Sequence, residues 1–429
     1  MNEAGAVLRM LGAIGADGGI TDRGRRLVDL PLHPRLGSIV LTGLDRDLGA
    51  MACSLAALID ERDILRGRPG EVPVDLGLRL ALLRDRGRRH PLASGRSIAM
   101  VRNRADDLAR RVGASDGWDR DSIGPLVAAG FPDRVAQRRG NNRGRFRLRS
   151  GSGVGLSDRD ELAGEDFIVA VDVDGRRKDA RVRLAAGVDV VDLLRTEGFD
   201  IEVSERLVWD RERNDVIVRV DRHLGALDLG RSTHRPDPSP DVVDLLVDHV
   251  RRTKLAALTW TDAARSLQQR VGWLRDRRPD DGWPEIDDAA LLEHLEDWLA
   301  PFLVAATGRA DLEVFSVVVA LDTLIGRDRR GELDRMAPTH LQLPRRRVPI
   351  DYGGEQPVIR AKAQDFYGVD RHPMVLDGVE PLTLELLSPA GRPIQRTADL
   401  PGFWAGSWSE VRKDMAGRYP KHDWPEKPV

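Results

Sequence analysis

The hydrophobic period of this chain changes near residue 131, and that change restricts its fold more than any other feature. Before it, apolar residues recur at helical spacing. Ile98, Val101, Ala105, Leu108 and Val112 share one face, with Arg102, Asn103 and Arg104 mostly off it. After it the period is two, and RFRLR, DFIVAVDVD, ARVRLAA, ERLVWD and DVIVRVD read as short strands broken by glycine and charge. The switch predicts a multidomain α+β protein in which a helical region precedes a small antiparallel β-barrel with additions.

Punctuation divides the rest. The first forty residues read helix, short wing, helix, a winged-helix-like pattern. Ala6, Val7, Leu11 and Ile14 form an apolar stripe and ADGG a turn. Thr21 is placed to cap a helix through Val28, which PLHPRL ends with two prolines. Residues 46–118 read as all-helical, and LGAMACSLAALI is a small-residue helix of buried character. STHRPDPSP, at 232–240, reads as a linker. Beyond it the spacing predicts helices over 241–253, 262–276 and 288–299, then strands near 346–350, 381–387 and 393–397.

Composition excludes several chemistries. The 67 basic and 69 acidic residues leave a formal net charge of −2, so any polyanion site must be local. Cys53 is the only cysteine, which forbids an intrachain disulfide and fits a reducing cytosol. No signal peptide and no bilayer-length apolar run is present, so the expectation is a cytoplasmic protein without a membrane partner. A P-loop needs a Gly-Lys pair, and no lysine here follows a glycine. Asp60-Glu61-Arg62-Asp63 imitates an acidic metal-holding motif. Without a phosphate cradle it reads as a charged helix end. The histidines are scattered and have no paired spacing, so no metal site is expected, and no G-x-S-x-G elbow supplies a nucleophile. No catalytic residue is assigned.

What remains is FPDRVAQRRGNNRGRFRLRSGSG, residues 131–153. It holds Arg134, Arg138, Arg139, Arg143, Arg145, Arg147 and Arg149, with Asp133 the only acid nearby in sequence. On a strand, Arg145, Arg147 and Arg149 project to one face while Phe146 and Leu148 face the core. Guanidinium groups side by side repel one another and gain most when a polyanion neutralises them. Asn141, Asn142 and Gly144 form a turn whose amides could approach phosphate. The bland alternative is a solvated barrel edge that resists aggregation. A second stretch, SWSEVRKDMAGRYPKHDWPEKPV, offers Ser407 and Glu410 as a capping box, Val411 and Met415 on one face, and Gly417 as a helix stop. Arg418, Tyr419, Lys421, His422 and Trp424 then interleave base and aromatic. They could stack bases, but the favoured reading is a Trp that pins the terminus to its own domain.

These residues resemble a known family. LRMLGAIGADGGITDRGRRLVDLPLHPRLGSIVL resembles the winged-helix segment that follows the motor domains of DEAH-box helicases, and FPDRVAQRRGNNRGRFRLRSGSGVGL the start of their OB-fold. LLSPAGRPIQRTADLPGFWAGSWSEVRKDMAGRYPKHDWPEKP looks like the C-terminal signature of the bacterial HrpB family, and WLAPFL and the APTHLQLP-to-IDYGG stretch fit it too. The resemblance spans essentially the whole chain. It implies a winged helix over 1–45, a ratchet-like helical bundle over 46–118, an OB-fold-like barrel over 119–235 and an HrpB-specific extension over 236–429. It further implies that the two RecA-like motor domains, with their ATP and Mg, would precede Met1, so this chain alone is expected to hydrolyse no ATP. The implied partners are single-stranded nucleic acid, RNA or DNA, and those motor domains. The arginine column becomes one wall of a strand channel, and Arg102 joins the candidate contacts from the ratchet-like helix. The implied function is the accessory nucleic-acid-binding and motor-coupling part of an ATP-dependent helicase. The alternative is a protein-interaction module whose C-terminal extension docks a partner.

Overall fold

The computed structural model describes residues 3–68, 70–175, 180–195 and 199–429. The chain divides into two compact units. One comprises Met1–Arg206 with Arg219–Ser232, the other Leu207–Val218 with Thr233–Val429.

The first unit begins with helices α1 (Glu3–Met10), α2 (Asp22–Val28) and α3 (Pro34–Leu44). Thr21 caps α2 as expected, its hydroxyl accepting from the Gly24 amide at 2.9 Å. The stripe expected to reach Ile14 stops earlier, because α1 ends at Met10 and Ile14 bridges Ile20 instead. The second proline of PLHPRL opens α3, a position where its missing N–H costs nothing. Helix α4 (Gly49–Asp60) is the small-residue segment, and its composition has a geometric cause. A Cβ on Gly43 of α3 would stand 2.2 Å from that of Ala52, so the two helices meet at a distance only small residues permit. Helices α5 (Leu76–Arg84), α6 (Gly95–Val112) and α7 (Ile123–Gly130) complete the helical region. Ser94 caps α6, Gly113 closes it at φ +63°, and Val101, Ala105 and Leu108 are buried along its inner face.

The period switch lands where the strands begin. β1 (Val135–Arg138), β2 (Arg145–Leu148), β3 (Gly153–Gly155), β4 (Phe167–Val173) and β5 (Ala180–Gly187) form a closed barrel in the order β1-β2-β3-β5-β4. Every neighbouring pair is antiparallel except β3 with β5. Phe146, Ile168, Ala170, Val182 and Ala185 fill it. After α8 (Val190–Arg195) come β6 (Glu202–Asp210), β7 (Asp215–Leu224) and β8 (Leu227–His234), a three-stranded ribbon with β7 central.

In the second unit, α9 (Pro240–Arg252) and α10 (Asp262–Arg277) carry side-chain caps from Ser239 and Thr261. The 232–240 stretch is thus divided: its first residues finish β8 and its Ser-Pro opens α9. The single helix expected over 288–299 is two, Asp288–Glu293 and Leu295–Trp298, because His294 departs to φ −112°, ψ 33°. Residues 300–345, unassigned from sequence, hold helices Ala310–Val314, Val317–Ile325 and Arg327–Met336. Strands lie at Arg347–Pro349, Thr383–Leu387 and Pro393–Thr397, where the spacing puts them, and Val358–Lys362 pairs in parallel with Thr383–Leu387.

Candidate nucleic-acid interface

Alternation along β2 sorts its side chains. Phe146 is wholly buried in the barrel, while Arg145 and Arg147 on either side of it are exposed. The cross-strand register extends this outer face. Gln137 of β1 lies opposite Arg147, and Arg139, just past β1, donates its amide to the Arg145 carbonyl at 2.8 Å. On the other side, Gly155 lies opposite Arg145 and Gly153 opposite Arg147. The Arg145 guanidinium rests over Gly155, where a Cβ would come within 3.0 Å of its Nη1. The face is therefore a row of guanidinium groups beside a strand whose outward positions, 153 and 155, are glycine. Sequence reasoning passed over these glycines. The alternation in GSGVG was the available signal, and its meaning depends on the β2–β3 register.

The eight candidate arginines do not act alike. Arg139, Arg145 and Arg147 are exposed and make no ion pair among the described residues. Arg143 is also exposed, donating Nε weakly to the Asp158 carbonyl at 3.4 Å. Arg138 is engaged on the barrel rim, with Asp166 at 2.5 Å and the Gly140 and Glu165 carbonyls at 2.9 and 3.2 Å. Arg134 pairs with Asp133 at 3.4 Å. Arg149 lies outside β2. A tight turn through Gly151, at φ +88°, ends the strand at Leu148, and the half-buried Arg149 guanidinium meets the Met10 sulfur at 3.7 Å. The expected column of three on one strand face is thus Arg145 and Arg147, joined by Arg139 from just past the neighbouring strand. Arg102 of α6 donates to the Leu83 carbonyl from Nε at 2.9 Å and from Nη2 at 2.6 Å.

Pairings that sequence distance hides also set the local charge. Asp133 is gripped by Arg35 of α3 at 2.6 and 2.9 Å, and Asp166 comes from β4's approach. Neither faces Arg139, Arg145 or Arg147 in an ion pair.

Asp60-Glu61-Arg62-Asp63 closes α4. The Asp63 carboxylate is bound by Arg79 at 2.6 and 3.0 Å, and Asp60 stands 4.0 Å from Arg104. Carboxylates held by arginine do not fit a Mg–nucleotide site. Among the described residues no group of three or more His, Cys, Asp or Glu is disposed to hold a metal ion, and no helix is long and apolar enough to cross a membrane. Burial pushes the Cys53 thiol up to about 12, which removes it as a nucleophile. At the C-terminus, Trp424 is buried and donates its indole N–H to the Tyr419 carbonyl at 3.0 Å. It is not displayed for base stacking.

Comparison with known proteins finds similarity to helicases of the HrpB family. Residues 298–428 match the family described as ATP-dependent helicase C-terminal, HrpB_C. The chain is 30% identical over 428 residues to the ATP-dependent RNA helicase HrpB of Escherichia coli (strain K12), covering 99% of this chain and 50% of that protein. It therefore spans about half the length of this curated relative. Two solved structures are also similar. The E. coli DExH-box NTPase HrpB shares 31% identity at TM-score 0.44, covering 99% of this chain and 50% of that one. The E. coli DEAH/RHA helicase HrpB shares 28% at TM-score 0.40, covering 98% and 51%.

Proposed function

We propose, for a chain that is HrpB-like from end to end, that it is the accessory nucleic-acid-binding and motor-coupling portion of an ATP-dependent helicase. The observation that carries this reading is the outer face of β1 and β2, where Arg139, Arg145 and Arg147 stand exposed, without carboxylate partners among the described residues, beside Gly153 and Gly155. Such a face suits a phosphodiester backbone, since guanidinium forks bind phosphate and outward glycines let a strand approach. We read the five-stranded barrel as an OB-fold, whose strand order and single parallel pair it shares. Residues 1–45 and 46–118 are read as the winged helix and the ratchet-like bundle, and 236–429 as the family's extension. ATP and Mg are assigned to RecA-like motor domains and to no residue of this chain. Contact with the strand is assigned first to Arg139, Arg143, Arg145 and Arg147. Arg134, Arg138 and Arg149 shape the rim.

The test is a titration of a labelled single strand at several salt concentrations. Replacing Arg139, Arg145 and Arg147 by glutamine should lower the salt slope by about two units, at about 0.7 per lost single-strand contact. The loss should be the same for any base sequence, because phosphate contacts carry no base information. Phe146→Ala, by contrast, should cost about 3 kcal/mol of stability through the cavity it leaves in the barrel. An unchanged slope in a folded triple variant would reduce the face to a solvated edge.

A second reading has its own observation. Val304 and Val314 of the second unit are 70% and 81% exposed, and Phe302, whose ring lies 5.7 Å from that of Phe315, is 43% exposed. Exposed apolar side chains of this kind favour a module that docks a protein partner. That reading requires no salt-dependent strand binding, so the same titration separates the two.

A further inference from the structure

The β6–β7–β8 ribbon carries a cluster that the barrel face does not use. At its centre Asp221 is only 5% exposed and accepts from two arginines, Arg206 Nη2 at 2.7 Å and Arg231 Nε at 2.5 Å. Both arginine side chains remain largely exposed, at 64% and 60%. Each therefore gives Asp221 one N–H and turns its other donors toward solvent. Arg219, two residues before Asp221 on β7, lies on the same sheet face by strand alternation. Its Nε is buried without a hydrogen-bond partner. Two guanidinium groups thus share one carboxylate, and a third lies two residues along the same sheet face. The nearby acid of β8, Asp228, turns its carboxylate onto the Gly230 amide at 2.9 Å.

A buried carboxylate that orients two arginines is a common way to build a rigid anion clamp. The ordering cost of the long side chains is met within the protein, before any ligand arrives. The clamp is also tied to the barrel face. Gln137, opposite Arg147, donates to the Asp228 carbonyl at 2.7 Å and accepts from the Asp228 amide at 3.1 Å, three residues before Arg231. The Ala226 amide of the β7–β8 turn donates to the Arg149 carbonyl at 3.0 Å.

We propose that Arg206 and Arg231, ordered by Asp221, form with Arg219 on the same sheet face a second phosphate-binding site that takes a backbone phosphodiester of the strand lying on the barrel face. This inference rests on the reading of the barrel as a nucleic-acid interface. It adds a site on a different element and lengthens the path of the bound strand beyond the OB-fold.

The experiment uses the whole chain, fluorescein-labelled oligo(U) and oligo(dT), and anisotropy across a salt series. Arg219→Gln leaves both ion pairs of Asp221 in place, and the salt slope should fall by about 0.7. Arg206→Gln with Arg231→Gln should lower it by about 1.4. Lys413→Gln, an exposed cation of the second unit, should leave it unchanged. Circular dichroism checks the fold, and if the double variant unfolds, Arg219→Gln decides. Wild-type binding that weakens with the barrel variants but keeps its slope in Arg219→Gln overturns the ribbon site alone. Absence of any wild-type binding overturns the barrel reading and this one together. Displacement of the oligonucleotide by poly-glutamate as effective as by unlabelled strand would assign the clamp to an acidic protein and overturn its nucleic-acid role.

Discussion

Arg35 grips Asp133 with both ends of its guanidinium, at 2.6 and 2.9 Å, across 98 residues of sequence. The one acid that the sequence sets beside the arginine stretch is therefore committed to α3. It fastens the start of the barrel to the helical region and does not neutralise the outer face. Breaking the pair should be costly because both side chains are mostly buried. Arg35→Gln or Asp133→Asn should lower stability by about 1–3 kcal/mol in urea unfolding. The salt slope of strand binding should be retained, and a slope that moved with stability unchanged would make Arg35 part of the interface instead.

The same pair sets an acid limit. Burial works against ionisation of Asp133, yet the hydrogen bonds and charge of Arg35 hold its carboxyl below the usual carboxylate range. Asp221 is displaced further, from 3.8 to about 2, by hydrogen bonds from Arg231 and then Arg206. A carboxyl whose folded value is depressed contributes stability that is fully present above its unfolded value and is lost as pH falls through the folded one. Stability should accordingly rise between about pH 2 and about pH 4, in line with the ordinary aspartate value of about 3.9. Asp221→Asn should flatten that rise. The check is acid unfolding followed by circular dichroism in both proteins, and parallel curves would show that Asp221 carries no linked proton.

The local pattern was legible where period and burial agree. The alternation in RFRLR puts Phe146 inside and Arg145 and Arg147 outside, and the apolar stripe of α6 is the face that is buried. Features decided by long-range pairing were not legible. Nothing in the sequence brings Asp166 to Arg138 or turns Arg102 onto Leu83, since both depend on how elements meet. Capping was overread at the end of the chain. Ser407 is itself helical, at φ −69° and ψ −10°, so its hydroxyl caps nothing, and Gly417 lies inside a helix that runs to Arg418. The ribbon arginines escaped notice because Arg206 and Arg231 meet at Asp221, on the face that Arg219 shares, only once the strands pair.

Trp424 closes the chain against Trp408. Their ring centroids are 6.0 Å apart, and the Trp408 indole donates to the Pro425 carbonyl at 3.1 Å. Further bonds from Tyr367 to Asp423 and from Gly368 to Pro428 hold the tail down. Trp424→Ala should cost about 3 kcal/mol by opening this cluster, seen as a lower melting temperature of the second unit. Strand affinity should hold. Affinity that falls while melting is unchanged would restore Trp424 as a stacking platform.

Arg102 separates the two uses of arginine in this protein. Helix α5 ends at Arg84, and its last carbonyls have no partners within the helix. Arg102 supplies them from α6, binding the Leu83 oxygen twice and reaching Leu82 at 3.5 Å. Its Nε and Nη2 donors are spent on the protein, whereas Arg145 and Arg147 make no ion pair among the described residues. Arg102→Gln should therefore fray the end of α5 and cost about 1–2 kcal/mol, the scale of a charged donor lost from carbonyl acceptors that remain partly accessible. Hydrogen exchange at the end of α5 should quicken, and the salt slope of strand binding should match the wild type. Arg145→Gln should do the reverse, losing about 0.7 of slope with its melting temperature kept. If Arg102→Gln loses slope and keeps both its melting temperature and its exchange protection, then the α6 guanidinium leaves Leu83 for phosphate when a strand binds, and the helical region joins the interface.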